Sequence, residues 1–339
     1  MVTKVGPSKV AVITRTKNRT LLLERCIKNV MGQSFGDFEM VIINDGGDPR
    51  PIENLMKKHE KAMDSRIKLV NNRESVGHGE ACNVGIENSD SKYIVMLDDD
   101  DTWHPDFLNI TVAYLEESGM QGVVTGSEVI NEVIKNDKVQ ELSRERFLPY
   151  VKGISLFDIL GGNQFPNMSF VYKRSALKAV GRYDKDASPL EDWDFTIRFL
   201  KEYDVHFIDE PLAYYHHRRN QSDDLGNSIF ISSLHSQRHI YLRNKYLRND
   251  LSKGVLGIGF MANLSQQLTK GRAEDLTFIN DLIRQSNKDT HGGINDLKVD
   301  TTEIKYDMTT VIRKIDHSLG ARTERYLKRV AKKILRRKN

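Results

Sequence analysis

Tyr93-Ile94-Val95-Met96-Leu97-Asp98-Asp99-Asp100-Asp101, running on into Thr102-Trp103-His104-Pro105, decides how this chain of 339 residues is read. Five apolar residues make a short buried-strand pattern, and four carboxylates follow where that strand would end. Carboxylates at this density repel and raise one another's pKa. A hard divalent cation relieves the repulsion, because Mg²⁺ and Mn²⁺ prefer carboxylate oxygen and bridge it to phosphate. The competing reading is a solvated acidic turn without a ligand; placement at the end of a buried strand makes it the weaker of the two.

Outward from this stretch the same pattern repeats. Strands are predicted at 10–14, 38–43, 67–71 and 93–97, with helices at 20–30, 52–59 and 79–87 between them. Thr20 is a candidate N-cap, and Pro105 is predicted to open a helix at the first-turn position that proline favours. Asn44-Asp45-Gly46-Gly47 reads as a turn. This βαβα order implies a parallel sheet with right-handed crossovers, whose ligands bind outside the carboxyl ends of the strands. Thr14, Asp45 and Asp98 each fall at such an end. From about residue 120 the pattern is mixed, with strands expected at 167–172, 205–208 and 212–215 and helices at 175–180 and 192–201. Beyond 226 it reads as mostly helical, with loop signals at 287–295.

Composition narrows the class. Hydrophobic residues make up 39% and charged residues 29%, as in soluble globular proteins. No apolar run is long enough to span a bilayer, and the N-terminus lacks a signal-peptide core. Two cysteines, Cys26 and Cys82, lie far apart without metal-ligand spacing, which argues for a reducing compartment and a cytoplasmic location. The net charge of +4 is uneven: residues 321–339 hold nine Lys/Arg against one acid. A basic tail on a mildly acidic body is unlike a nucleic-acid-binding domain.

With these motifs in place, the chain resembles the inverting family 2 glycosyltransferases of GT-A fold, of the type that builds bacterial surface polysaccharide. The resemblance rests on Val12 to Arg19, Ile43-Asn44-Asp45-Gly46, Gly77 with Asn83-Val84-Gly85, and Leu97 to Asp101 with Pro105. It continues through Ser169 to Arg174, Val180 to Asp184, Glu191-Asp192-Trp193-Asp194, and Tyr215-His216-His217 with Asn220 and Ser222. It covers roughly residues 8 to 222. The implied fold is α/β: a Rossmann-like nucleotide-binding GT-A domain with a mostly parallel mixed sheet over residues 1–225, followed by a mainly α-helical region over 226–339.

The resemblance also assigns roles. Asp45 would accept a hydrogen bond from the uracil of a UDP-sugar, a charge-assisted bond; capping its own turn is the alternative. Thr14, Arg15, Lys17, Asn72, His78, Asp98 and Asp99 would complete the nucleotide-sugar site. Asp100 and His217 would ligate Mn²⁺ or Mg²⁺, and a metal bridging both phosphates would assist departure of UDP. Asp192 would be the general base toward the acceptor hydroxyl, with Glu191 as the fallback. These carboxylates also suit a helix start electrostatically. Trp193, Trp103 and Gln164 are candidate acceptor or sugar contacts, and Arg218 and Arg219 candidate phosphate screens. Two departures stand out: Cys82 replaces a frequent Arg, so Arg73 or His78 would substitute, and Arg15 and Lys17 stand where Pro and Tyr are common.

In the tail, Tyr326, Leu327, Val330, Ala331, Ile334 and Leu335 recur at helical spacing among Lys and Arg. That describes a basic amphipathic helix, which either meets an anionic membrane surface or packs on protein. The expected activity is metal-dependent transfer of a hexose or N-acetylhexosamine from a UDP-sugar to a hydroxyl of a glycan or lipid-linked acceptor. The enzyme would sit in the cytoplasm or at the inner face of the membrane. No nucleic acid partner is expected, and a homo-oligomer stays open. The alternatives are a sugar nucleotidyltransferase, against which Val12 to Arg19 lacks glycine, and a non-catalytic glycan-binding protein.

Overall fold

Seven residues, Val10–Thr16, form the central strand β1, and their alternation explains the layering. Val10 and Val12 enter one hydrophobic core while Ala11 and Ile13 enter the other, as successive strand side chains must. The computed structural model describes residues 6–268 except 137, 220, 222–223, 228–233, 256 and 267. The described residues up to Gln266 form one compact unit.

β1 is flanked in parallel by β2 (Phe38–Asp45) and β4 (Tyr93–Met96), and β3 (Ile67–Asn72) pairs in parallel with β2. The connecting helices are α1 (Thr20–Met31), α2 (Pro49–Met63) and α3 (His78–Glu87). All four strands end at one edge, so Thr16, Asp45 and Asn72 come level with the start of the aspartate run. The sheet then becomes mixed. After β5 (Thr102–Trp103) and α4 (Phe107–Ser118) come β6 (Gly122–Lys135) and β7 (Lys138–Arg146), an antiparallel hairpin. Then follow α5 (Leu156–Gly161), β8 (Phe170–Lys173), α6 (Leu177–Val180), α7 (Glu191–Glu202), β9 (His206–His217) and α8 (Leu234–Ser252). Strand order is β3-β2-β1-β4-β8-β6-β9-β5, with β7 attached to β6.

Helices α1, α2 and α4 cover one face and α3, α5 and α7 the other, with Leu242 of α8 joining the second core. Close approach matters at Gly85, where a Cβ would lie 2.2 Å from Ile13 Cγ2, so α3 rests directly on β1.

Several elements differ from the sequence expectation. Residues 167–169 form a 3-10 turn, leaving β8 only Phe170–Lys173. The two strands expected at 205–208 and 212–215 are one strand, β9, whose register against β6 shifts where Pro211 faces Gly126. Proline cannot donate to the ladder, so the strand continues through an irregularity there. Helix α4 starts at Phe107, two residues after Pro105, with Asp106 at its cap. Thr20 is the first residue of α1, and Arg19 holds the cap position. Among the described residues no helix is long and apolar enough to cross a membrane. Asn220, Ser222, the loop signals at 287–295 and the basic stretch 321–339 lie outside the described residues.

Candidate active site

The four aspartates form one tight turn after β4, closed by Asp101 N–H donating to Asp98 C=O at 3.1 Å. Each carboxylate is partnered, and Arg19 bridges two of them. Arg15 Nε reaches Asp98 at 2.9 Å. Thr16 Oγ1 donates to Asp99 at 2.6 Å, and Arg19 Nη1 pairs with Asp99 at 2.9 Å. Asp100 Oδ2 receives Arg19 Nη2 at 2.6 Å, Asn227 Nδ2 at 3.2 Å and also Arg218 Nη2. Asp101 accepts from His216 N–H at 2.9 Å.

These partners split the carboxylates electrostatically. For Asp100, burial alone would raise the pKa, but Arg19 and Arg218 overcome it and hold the group well below the usual range. Burial pushes Asp99 up to about 6, with Arg19 opposing. Asp101 is raised by burial and then by the charges of Asp100 and Asp98. The turn therefore holds Asp100 ionised between its arginine partners.

A cleft of about 230 Å³ opens above this turn, and its opposite end is Asp45 at the end of β2. Asp45 Oδ1 accepts from Asn72 Nδ2 at 2.9 Å and Val76 N–H at 2.9 Å. Its Oδ2 accepts from Ser75 Oγ at 2.7 Å and Gly77 N–H at 3.2 Å. Burial raises its pKa, but these bonds outweigh burial and leave it lowered. Four donors fill the lone-pair sites of a carboxylate. A ligand N–H reaches Asp45 by displacing one, and the rotatable Ser75 hydroxyl is the easiest to move.

Between the two ends, Arg15 and His78 connect the cleft to the start of α7. Arg15 Nη1 pairs with Glu191 at 2.7 Å, and His78 Nδ1 lies 3.7 Å from the same carboxylate. Glu191 is thereby buried and kept ionised: burial would raise its pKa, but the Arg15 and His78 charges and the Arg15 hydrogen bond together outweigh burial and leave it lowered. Its neighbour Asp192 is only partly buried. Asn163 Nδ2 donates to Asp192 Oδ2 at 3.0 Å, and Trp193 N–H to its Oδ1 at 2.7 Å. Burial first, then the adjacent Glu191 charge, push Asp192 up to about 7. A carboxylate of that kind exchanges protons near neutral pH.

Several of the other candidates fall away from the cleft. Thr14 is fully buried and faces Cys26 in the core, because alternation sends Arg15 outward instead. Trp103 is 1% exposed, stacks on Phe107 at 4.5 Å and donates its indole N–H to Met168 C=O. Trp193 is 0% exposed, and its indole N–H donates to Ile159 C=O at 2.6 Å. Both tryptophans are core residues with no face left for a sugar. Gln164 is partly buried on the loop beside Asn163, and its Oε1 has no partner among the described residues. Lys17 lines the cleft, and Asn72 contributes by holding Asp45. His217 is buried beside Tyr215, ring centroids 4.3 Å apart. Burial, then Arg219 and Arg218, depress it to about 4, so the imidazole is neutral.

Sequence reasoning did not single out Arg19, Arg25, Glu132, Ser75 or Asn227. Arg19 carried the clearest signal, ending the same Val12 to Arg19 segment that supplies Arg15 and Lys17. Arg25, one helical turn and a half further on, donates to Asp100 C=O.

Among the described residues no three His, Cys, Asp or Glu groups converge into a metal cage. Mg²⁺-type ions are commonly held by one or two carboxylates plus substrate phosphates. His217 does not line the cleft, but Asp98, 36% exposed in its side chain, and Asp100 do, and they supply hard oxygen. This donor set fits a cation that arrives with a diphosphate.

Comparison with known proteins bears on the family and the fold. Residues 11–181 match the model described as glycosyl transferase family 2. An uncharacterized glycosyltransferase of Nostoc sp. is 26% identical over 275 residues, covering 78% of this chain and 82% of the relative. The uncharacterized glycosyltransferase YwdF of Bacillus subtilis is 25% identical over 221 residues, covering 64% and 79%. Among solved structures, S. aureus TarS superposes with a TM-score of 0.51 at 15% identity, covering 61% of this chain and 36% of TarS. Its 1–349 fragment in complex with UDP-GlcNAc gives 0.50 at 15% identity, covering 64% of this chain and 60% of the fragment. The chain thus spans 36% and 60% of these solved neighbours, and at that identity the likeness concerns the fold, which is GT-A.

Proposed function

We propose, from the premise that the chain belongs to glycosyl transferase family 2, that it moves a hexose or N-acetylhexosamine from a UDP-sugar to a hydroxyl of a glycan or lipid-linked acceptor, with inversion. The observation that carries the reading is one cleft with Asp45 at one end and Asp98 with Asp100 at the other, joined through Arg15 and Glu191 to Asp192 just beyond its lining. The choice of UDP takes its support from the same pocket geometry and from the TarS fragment, which binds UDP-GlcNAc.

In this mechanism Asp45 accepts from the uracil imide as Ser75 yields its place. Lys17, Arg15 and Arg19 line the path of the diphosphate and screen its charge. A divalent cation, Mn²⁺ or Mg²⁺, would be held by Asp98 and Asp100 and would supply Lewis-acid stabilisation of the leaving diphosphate. Asp192 takes the proton from the acceptor hydroxyl, while Asn163 fixes the carboxylate's orientation. Glu191 does not compete for that role, because Arg15 occupies it; its charge instead raises the basicity of Asp192. Attack opposite the leaving group inverts the anomeric carbon.

The test is a donor screen with Mn²⁺ present, measuring nucleoside diphosphate release from UDP-Glc, UDP-Gal, UDP-GlcNAc, UDP-GalNAc and UDP-GlcA. Stimulated release from at least one is expected. Release confined to GDP- or dTDP-sugars would overturn the uracil assignment at Asp45.

A further inference from the structure

We propose that Glu132, which lies outside the cleft on β6, is a positioning residue for the diphosphate end of the site. The inference rests on reading the Asp98–Asp100 end as the place where the diphosphate sits. Glu132 is 3% exposed and falls where the β6–β7 register shifts between Asn131 and Glu132. A bulge of this kind re-aims a side chain, and here it coincides with a carboxylate at the centre of a buried cluster.

Three cationic or polar groups converge on that one carboxylate. Arg218 Nη1 binds Oε1 at 2.6 Å, while Arg25 Nη1 binds Oε2 at 2.7 Å and His216 Nδ1 binds Oε2 at 2.6 Å. Each of the three also grips the aspartate turn. Arg218 reaches the Asp100 carboxylate, Arg25 its carbonyl, and His216 holds Asp101 by its backbone N–H and Thr102 Oγ1 by Nε2 at 2.8 Å. Glu132 therefore ties α1, β6 and β9 to the turn through a single anion.

Stability alone is a weak reason for such a cluster. Buried ion networks gain little over apolar packing of similar volume, whereas removing one member strands the others. What the anion does supply is orientation. The Arg218 side chain is 0% exposed, its Nε donates to Leu225 C=O at 2.7 Å, and Glu132 fixes the remaining edge of its fork. The Nη2 nitrogen can then point only at Asp100. Without the Glu132 charge, Arg218 loses the anchor on one edge of its fork and Arg25 its carboxylate partner, so the direction of their hold on Asp100 is no longer fixed.

The experiment compares calorimetric affinities of UDP and UMP, each with Mn²⁺, for wild type, Glu132→Gln and Glu132→Asp, with GDP and GMP run in parallel. The two nucleotides of each pair share the base end and differ at the end Glu132 controls. Glu132→Gln is expected to weaken the diphosphate by about tenfold or more while the monophosphate moves by less than about twofold, and Glu132→Asp to recover part of the loss. Arg25→Gln, at a side chain 23% exposed, probes the same tie from its outer end if Glu132→Gln does not fold. Equal weakening of both nucleotides, or a lowered Tm with unchanged affinities, would overturn the positioning role. A wild type that binds neither pair would instead overturn the reading of the cleft.

Discussion

Asp192 and Glu191 are adjacent in sequence and opposite in environment. Glu191 is 3% exposed and paired with Arg15, whereas Asp192 has Asn163 and a single backbone N–H, and sits at about 7. A general base must be deprotonated to act, so a raised pKa makes activity climb as pH rises through about 7 and fall below it. A transfer rate unchanged between about pH 5.5 and about pH 8 would contradict that assignment. Asp192→Asn keeps the shape and removes the proton acceptor; a loss of about 10²-fold or more in transfer is expected, with UDP affinity retained. These carboxylates were legible because charged residues cluster at an element's start. Exposure was not legible: Trp193 stands between two acidic residues, yet its indole is fully buried against Ile159. Helical periodicity placed it on the chain without saying which face the core would claim. Trp193→Phe is therefore expected to lower Tm and leave the acceptor KM of the folded enzyme unchanged, and a selective rise in that KM would restore the sugar-stacking role.

At the scale of elements, Gly46 shows how a turn sets the base end of the cleft. Its φ is +77°, and a Cβ there would lie 2.4 Å from Ser75 N, so the turn after β2 presses on the loop that supplies Asp45's donors. Gly46→Ala is expected to destabilise the fold by about 1–3 kcal/mol and to weaken nucleotide binding, measured by thermal unfolding and by UDP titration. Wild-type values for both would remove the coupling between turn and loop. The Glu132 tie gives a second, pH-resolved expectation. Burial raises the Glu132 pKa, but His216 and Arg25 outweigh burial and bring it down to about 2. A carboxylate depressed in the folded state stabilises fully above its unfolded pKa of about 4.3 and loses that contribution as pH falls toward the folded value. The Tm gap between wild type and Glu132→Gln should therefore narrow from about pH 5 down to about pH 2.5, and a constant gap would contradict the network. The parallel β1–β4 half could be read because each strand is a short apolar run closed by a turn or polar cluster. The β6–β7 hairpin could not, since exposed β7 mixes charge with only weak alternation, and its identity depends on pairing with β6.

For the molecule as a whole, the order of strands brings together residues far apart in the chain. Arg15, Asp98 and Glu191 form one chain of ion pairs across three elements, and Arg19, Asp100 and Arg218 form another. Sequence pattern could locate each strand end, but partner choice among the arginines follows from three-dimensional closure of the sheet by β9. The central claim is that one cleft orders base and diphosphate along its length, with the proton acceptor joined to it through Arg15 and Glu191. A crystal structure with UDP and Mn²⁺ tests it most directly. The expected result is uracil against Asp45 with Ser75 displaced, the diphosphate beside Asp98 and Asp100, and the open side facing Asp192. A nucleotide bound elsewhere, or one whose phosphates point away from the aspartate turn, would contradict it.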